Sequence, residues 1–183
     1  MTMDYRESVG SLMDAVRMVA EGVPQRDLDV LIDSILEGGK IFIYGSGRSG
    51  LVGQYFSVRL VQLGRDDVHF VGDMTTPIIG KGDVVILISN TGETMSAVQT
   101  ANIARRMGAD VICVTSSRMS KLAHASNHVI SLDTRVEHDR NIAPLGTLFE
   151  DAVVMMFDGM IPLLMERLGA TEDDMRKRHA IWV

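Results

Sequence analysis

Apolar positions recur along the chain in two alternating rhythms. Val9, Leu12, Met13, Val16 and Val19 have the spacing of a helix buried along one stripe. Pro24 opens a second helix that carries Leu28, Leu31, Ile32, Ile35 and Leu36, and Gly38-Gly39 ends it. From Lys40 onward, short runs rich in Val, Ile and Leu alternate with helical stretches. Strands are expected at 40–44, 68–71, 83–89, 110–115 and 127–132, and helices at 48–63, 93–107 and 119–125. A long helix is expected from Pro144 to Leu168, with a short helical tail after Thr171. Strands that are apolar throughout and separated by helices fit a parallel sheet covered on both faces. Right-handed crossovers then give an α/β fold, a doubly wound three-layer αβα sandwich on a five-stranded parallel sheet. The whole chain, 1–183, reads as one domain, with N-terminal helices over 1–38, the sheet core over 40–132 and C-terminal helices over 144–180.

The long helix departs from the amphipathic rule. Val153-Val-Met-Met-Phe157, Met160, Ile161, Leu163, Leu164 and Met165 make it apolar on nearly every face, so it must be buried all round. In a domain this small, the extra apolar face is expected to meet another subunit. Pro162 inside the helix is expected to kink it.

Composition narrows the function class. Apolar residues are 46% and charged residues 23% of the chain, values of an ordinary globular protein. The formal net charge of −6 gives no electrostatic footprint for nucleic acid or a membrane surface. A lone cysteine, Cys113 in an apolar run, has no intrachain partner for a disulfide and fits a reducing, cytoplasmic compartment. The first residues carry mixed charge and no apolar core, unlike a signal peptide.

In doubly wound sheets, ligands bind beyond the carboxyl ends of the strands, so the chemistry is sought in the loops there. The first strand runs into Gly45-Ser-Gly-Arg-Ser-Gly50, a G-x-G-x-x-G loop ahead of a helix, which suits an anion. With Asp73 downstream it also reads as a dinucleotide fingerprint, and glycines kept for packing alone are a third reading. The third strand ends in Ser89-Asn-Thr-Gly-Glu-Thr94, three hydroxyls and a glycine at another helix start. A single cap needs one hydroxyl, Thr94 or Thr91. Two polar glycine loops at neighbouring strand ends fit one small phosphorylated ligand better than a dinucleotide. Glu150, in the first turn of the long helix, reads either as the N3 member of a Thr147-x-x-Glu150 capping box or as a general base. A carboxylate in an apolar pocket is a stronger base, and Leu148, Phe149, Val153 and Val154 allow such a pocket. The histidines form no convincing metal set. His69 and His128 lie in strands, His124 in a short helix, His138 in a polar loop and His179 in a basic C-terminal segment.

Gly45-Ser-Gly-Arg-Ser-Gly-Leu-Val52, Gly92-Glu-Thr94, Pro144-Leu-Gly-Thr-Leu-Phe-Glu150 and Arg178-His-Ala180, in that order, carry a resemblance. The chain resembles sugar isomerase (SIS) domains, and among them the 6-phospho-3-hexuloisomerases. The resemblance implies a flavodoxin-like SIS fold and an isomerase that interconverts arabino-hex-3-ulose 6-phosphate and fructose 6-phosphate through a cis-enediolate. It places that step in the ribulose monophosphate pathway, with no metal and no cofactor. It also implies a homotetramer with active sites near subunit boundaries. Carried onto this chain, it makes Glu150 the base and gives His179 an assisting role, in its own or a neighbour's site. Ser49, Ser89, Thr91 and Thr94 then hold the phosphate with the backbone of Gly47, Arg48 and Gly92, while Asn90 and Glu93 complete the substrate loop. Arg48 has an alternative, a carboxylate of the protein itself. The chain departs from the family where Asn90 stands for a usual glycine and Thr91 for a serine, and in its Ile181-Trp-Val183 ending. Alternatives are isomerisation of arabinose 5-phosphate or a heptose phosphate, a sugar-phosphate sensor, and dinucleotide binding.

Overall fold

The computed structural model describes residues 4–136 and 141–179. His138 and the Ile181-Trp-Val183 ending lie outside them. Two helices, α1 (Tyr5–Glu21) and α2 (Gln25–Glu37), precede β1 (Ile41–Gly45), α3 (Arg48–Leu63), β2 (Val68–Phe70) and β3 (Val84–Ile88). Then come α4 (Met95–Arg106), β4 (Asp110–Thr115), α5 (Lys121–Ala125), β5 (His128–Ser131), α6 (Thr147–Leu168) and α7 (Glu172–Lys177). Every expected element is present, most within a residue or two of its expected bounds. The start of the long helix is the correction. Pro144–Gly146 is a separate 3-10 turn, with Leu145 at φ 51° and Gly146 at φ 83°, and α6 begins only at Thr147.

The five strands pair in parallel in the order β2-β1-β3-β4-β5. Strict alternation divides their side chains between two cores. Ile41, Ile43, Val84, Ile86, Ile88, Ile112 and Val114 face α1, α2, α3 and α6. Phe42, Val85, Leu87, Val111 and Cys113 face α4 and α5. Both faces are covered, which is why β3 is buried at all five positions and needs no polar alternation. Burial pushes the Cys113 thiol up to about 11, so it is a packing residue with little thiolate character.

α6 lies between α1 and α3, and Phe157 stacks on Phe56 of α3 with ring centroids 3.9 Å apart. Nine of its residues, from Leu148 to Leu164, are buried within the chain. Much of its apolar excess is therefore covered by α1 and α3 of the same chain; Met155, Leu163 and Leu168 stay exposed. α6 continues through Pro162 to Leu168. Among the described residues no helix is long and apolar enough to cross a membrane.

At the amino end of the sheet, Asp83 is buried and ties β1 to β3. Its carboxylate accepts the backbone N–H of Lys40 at 2.9 Å and of Gly80 at 2.8 Å, and pairs with Lys40 Nζ at 3.0 Å. Burial alone would raise its pKa, but the Lys40 and Gly80 donors outweigh that and hold it below the usual carboxylate value. Removing the carboxylate leaves two amides unpaired. Asp83→Ala is expected to lower unfolding free energy by about 2–4 kcal/mol in denaturant titrations. A group with a depressed folded pKa stabilises above its unfolded pKa and ceases to do so as pH falls through the folded one. The gap between wild type and variant should be constant above about pH 5 and close below about pH 4. A gap that persists unchanged into acid would refute the assignment.

Candidate functional site

The strand order reverses between β1 and β3. Gly45, the last residue of β1, pairs with Ile88, the last of β3, so their loops leave the sheet side by side. This is the crevice where doubly wound sheets bind ligands. α3 and α4 start from these two loops, and α6 starts beside them. All three begin without a side-chain cap: Gly47, Thr94 and Gly146 stand at their N-cap positions and none caps with its side chain. By contrast α5, off to the side, is capped by Ser120. Three uncapped helix starts leave free amides and partial positive charge directed at one place, the arrangement that attracts an anion.

The glycines have identifiable reasons. A Cβ on Gly50 would lie 2.6 Å from the Gly45 carbonyl oxygen, and one on Gly45 2.7 Å from the Gly50 amide, so α3 can start against β1 only with glycine at both. Gly146 combines a left-handed φ with crowding. Its would-be Cβ lies 2.7 Å from Asn90 Nδ2, 3.3 Å from Glu150 Oε2 and 3.5 Å from Arg48 Nη2. The α6 turn thus draws together the first loop, the third loop and the candidate base.

Glu150 does not form the capping box with Thr147. The Thr147 hydroxyl donates instead to the Pro144 carbonyl at 2.7 Å. Glu150 Oε1 accepts from the Ser49 hydroxyl at 3.2 Å, and Oε2 lies 3.0 Å from Arg48 Nη2. That second contact is an ion pair off the N–H directions, since Oε2 is buried and makes no hydrogen bond. Arg48 takes the alternative left open for it, a carboxylate of the protein, and its Nη2 also donates to the Leu145 carbonyl. Ser49, expected as a phosphate ligand, is buried with its hydroxyl donating to Glu150.

In the third loop, Ser89 and Thr94 share a hydrogen bond of 2.9 Å between their hydroxyls, so Thr94 does not cap α4 with its side chain. The Gly92 amide is held by the Ser89 carbonyl and hydroxyl and is not a free donor. Thr91 is exposed, and its hydroxyl accepts the Glu93 amide. Glu93 turns away from the crevice to the Lys121 amide and ammonium, at 3.1 and 2.9 Å, which hold its carboxyl below the usual range. The Asn90 backbone, where the family usually has glycine, is not left-handed. Asp151, which the sequence reading passed over, is a second carboxyl near Arg48, and burial pushes its pKa up.

His179 is not brought to Glu150. The Arg178 guanidinium packs on Gly64 and reaches the Gln62 carbonyl, at the C-terminal end of α3. A helix of 16 residues is about 24 Å long, and Ser49 is at its other end. Asp73 is exposed in the turn after β2.

Residues 34–158 match the pattern of the SIS domain family. The chain belongs to the SIS domain family. It is 32% identical to the 3-hexulose-6-phosphate isomerase of Bacillus subtilis, over 97% of this chain and 98% of that one. It is 36% identical to the protein of the same name from Methanocaldococcus jannaschii, over 83% and 82%. A crystal structure from Methanococcus jannaschii, from which a 3-hexulose-6-phosphate isomerase function was inferred, superposes with a TM-score of 0.86 at 31% identity, covering 97% and 99%. For an SIS domain the glycine loop belongs to a sugar-phosphate fold, and the dinucleotide reading is not favoured.

Gly146→Ala tests this geometry. The added methyl must displace Asn90 or Glu150 and take a left-handed φ, so a stability loss of about 1–2 kcal/mol is expected. Turnover should fall at least tenfold. Unchanged melting and turnover would show that the turn does not order the site.

Proposed function

We propose that the chain is a phosphosugar isomerase, interconverting arabino-hex-3-ulose 6-phosphate and fructose 6-phosphate as a step of the ribulose monophosphate pathway. The observation that carries the reading is the meeting of three uncapped helix starts beside one shielded carboxylate. The helix starts suit a phosphate, and the carboxylate suits proton transfer. The named relatives support the hexulose substrate.

The phosphate sits at the third loop, held by first-turn amides of α4 and by the Thr91 hydroxyl, with Ser89 and Thr94 shaping the loop. In the open-chain ketose, Glu150 takes the proton from C2. The C–H pair becomes the C2–C3 double bond, and the carbonyl pair moves onto the C3 oxygen. The same carboxyl returns the proton to C3, while the C2 hydroxyl proton passes to the C3 oxygen and the carbonyl reforms at C2. One base on one face of a cis-enediolate suffices. Ser49 orients Oε1, leaving the lone pairs of Oε2 for the proton. Arg48 and the Pro144–Gly146 turn cover Oε2. The substrate phosphate offers Arg48 a competing anion, so binding uncovers the base.

The separation of His179 from Glu150 within one chain supports a role in a neighbour's site. Leu51, Tyr55 and Val58 leave an apolar stripe exposed along α3, which supports assembly into a homotetramer through that face.

Two measurements test this. Hex-3-ulose 6-phosphate should be converted with a metal chelator present, and Glu150→Gln should cut kcat by roughly 100- to 10,000-fold while the protein stays folded. No conversion by wild type would refute the substrate, and equal rates would refute the base. If His179 serves a neighbour, unfolding and co-refolding inactive Glu150→Gln with a weakened His179→Ala should recover part of the wild-type rate. No recovery would place His179 outside the reaction.

A further inference from the structure

Asn90 is held by its backbone and left open by its side chain. Its carbonyl accepts three hydrogen bonds, from the Ser116 amide at 2.9 Å, the Ser116 hydroxyl at 2.7 Å and the Thr115 hydroxyl at 3.0 Å. Few loop residues are anchored so fully. Its carboxamide, in contrast, makes no hydrogen bond among the described residues, although the residue is half-buried. It lines a cavity of about 420 Å³ whose other walls include Pro144, Leu145, Leu148 and Phe149. With no protein partner of its own, the carboxamide is available to a ligand group that enters this cavity. Asn90 Nδ2, Glu150 Oε2 and Arg48 Nη2 all lie within 3.5 Å of one point above Gly146. The amide nitrogen and the carboxylate oxygen therefore lie close to the same point.

We propose that Asn90 is a catalytic residue whose side-chain amide donates a hydrogen bond to the reacting oxygen of the sugar chain and stabilises it as it becomes an enediolate. This deepens the isomerase reading above and rests on it. When Glu150 removes the proton, charge passes from the C–H bond to the former carbonyl oxygen. No other neutral, pre-positioned side-chain donor stands beside Glu150 among the described residues, because Ser49 is committed to Oε1 and Ser89 to Thr94. A fixed donor aimed at developing charge acts without reorganising during the reaction. Arg48 does not fill this place, since the bound phosphate draws it away from the base it contacts here. Because the donor projects from residue 90, it also fixes where the carbonyl must lie along the sugar. It therefore selects ketose phosphates whose reacting oxygen falls at that distance from the phosphate.

The test compares wild type with Asn90→Ala and Asn90→Asp. Three quantities are measured: kcat and KM for hex-3-ulose 6-phosphate, inhibition by a phosphosugar hydroxamate that mimics the enediolate, and inhibition by inorganic phosphate. Melting temperatures serve as the check on folding. Loss of an oxyanion donor should lower kcat roughly 100- to 1,000-fold with KM changed by less than about threefold. Hydroxamate inhibition should weaken by a similar factor in both variants, while phosphate inhibition stays unchanged. Should either variant melt early, Asn90→Gln, which keeps the amide but displaces it, must still show hydroxamate binding weakened more than phosphate binding. Wild-type turnover together with unaltered kcat and hydroxamate inhibition in the variants overturns the role of Asn90 and leaves the isomerase reading intact. Failure of wild type to turn over the ketose overturns both.

Discussion

The pairing of β1 with β3 is the constraint on which the site depends. Because the chain goes outward from β1 to β2 and returns past it to β3, the two loops that follow these strands emerge next to each other, and nothing in the sheet separates them. Glycine at positions 45 and 50 lets α3 start hard against the strand it has just left. α6 then has to enter the same space from a distant part of the sequence. It does so through a strained turn in which Leu145 takes a left-handed conformation and Gly146 leaves room for three side chains. Arg48 holds that turn by its carbonyl and the base by its charge, so one guanidinium couples the loop after β1 to the start of α6.

What makes this arrangement chemically useful is a set of omissions. Most helix starts in proteins are completed by a side-chain cap. Here α1, α5 and α7 follow the rule, with Asp4, Ser120 and Thr171. α2, which follows Pro24, has no side-chain cap, and neither do α3, α4 and α6, the three that start at the crevice. Potential caps were present in the sequence. Thr94 stands at the cap position but bonds to Ser89, and Thr147 and Glu150 have capping-box spacing but bond elsewhere. The local rule fails together at the place where a ligand would supply what the caps do not, and this is the physical content of calling the place a site.

Much of this was legible in the sequence. Alternating apolar strands and helices gave the layers and the parallel sheet, since a strand buried on both faces cannot hide its composition. The two glycine loops and Glu150 were visible as candidates because more glycines and hydroxyls gather at two neighbouring strand ends than capping needs, and a carboxylate opens an otherwise apolar helix. What was not legible depends on contacts between distant segments. The partners of Ser49 and Glu93 lie 101 and 28 positions away, and spacing along the chain carries no trace of them. The break at Pro144–Gly146 was hidden because proline is welcome in a first turn. The apolar excess of α6 was read as a subunit contact because the pattern records burial but not what does the burying; α1 and α3 cover much of it. The distance of His179 from the base is likewise a property of α7 docking at the far end of α3.

The account's central claim is that a sugar phosphate lies with its phosphate on the third loop and its reacting carbons beside Glu150. A crystal structure with fructose 6-phosphate bound tests it most directly. The account predicts the phosphate within hydrogen-bond distance of the Thr91 hydroxyl and the first-turn amides of α4. It also predicts Arg48 drawn off Glu150, and C2 and C3 next to Oε2. A phosphate bound away from the Ser89–Thr94 loop, or a sugar chain directed away from Glu150, would contradict it.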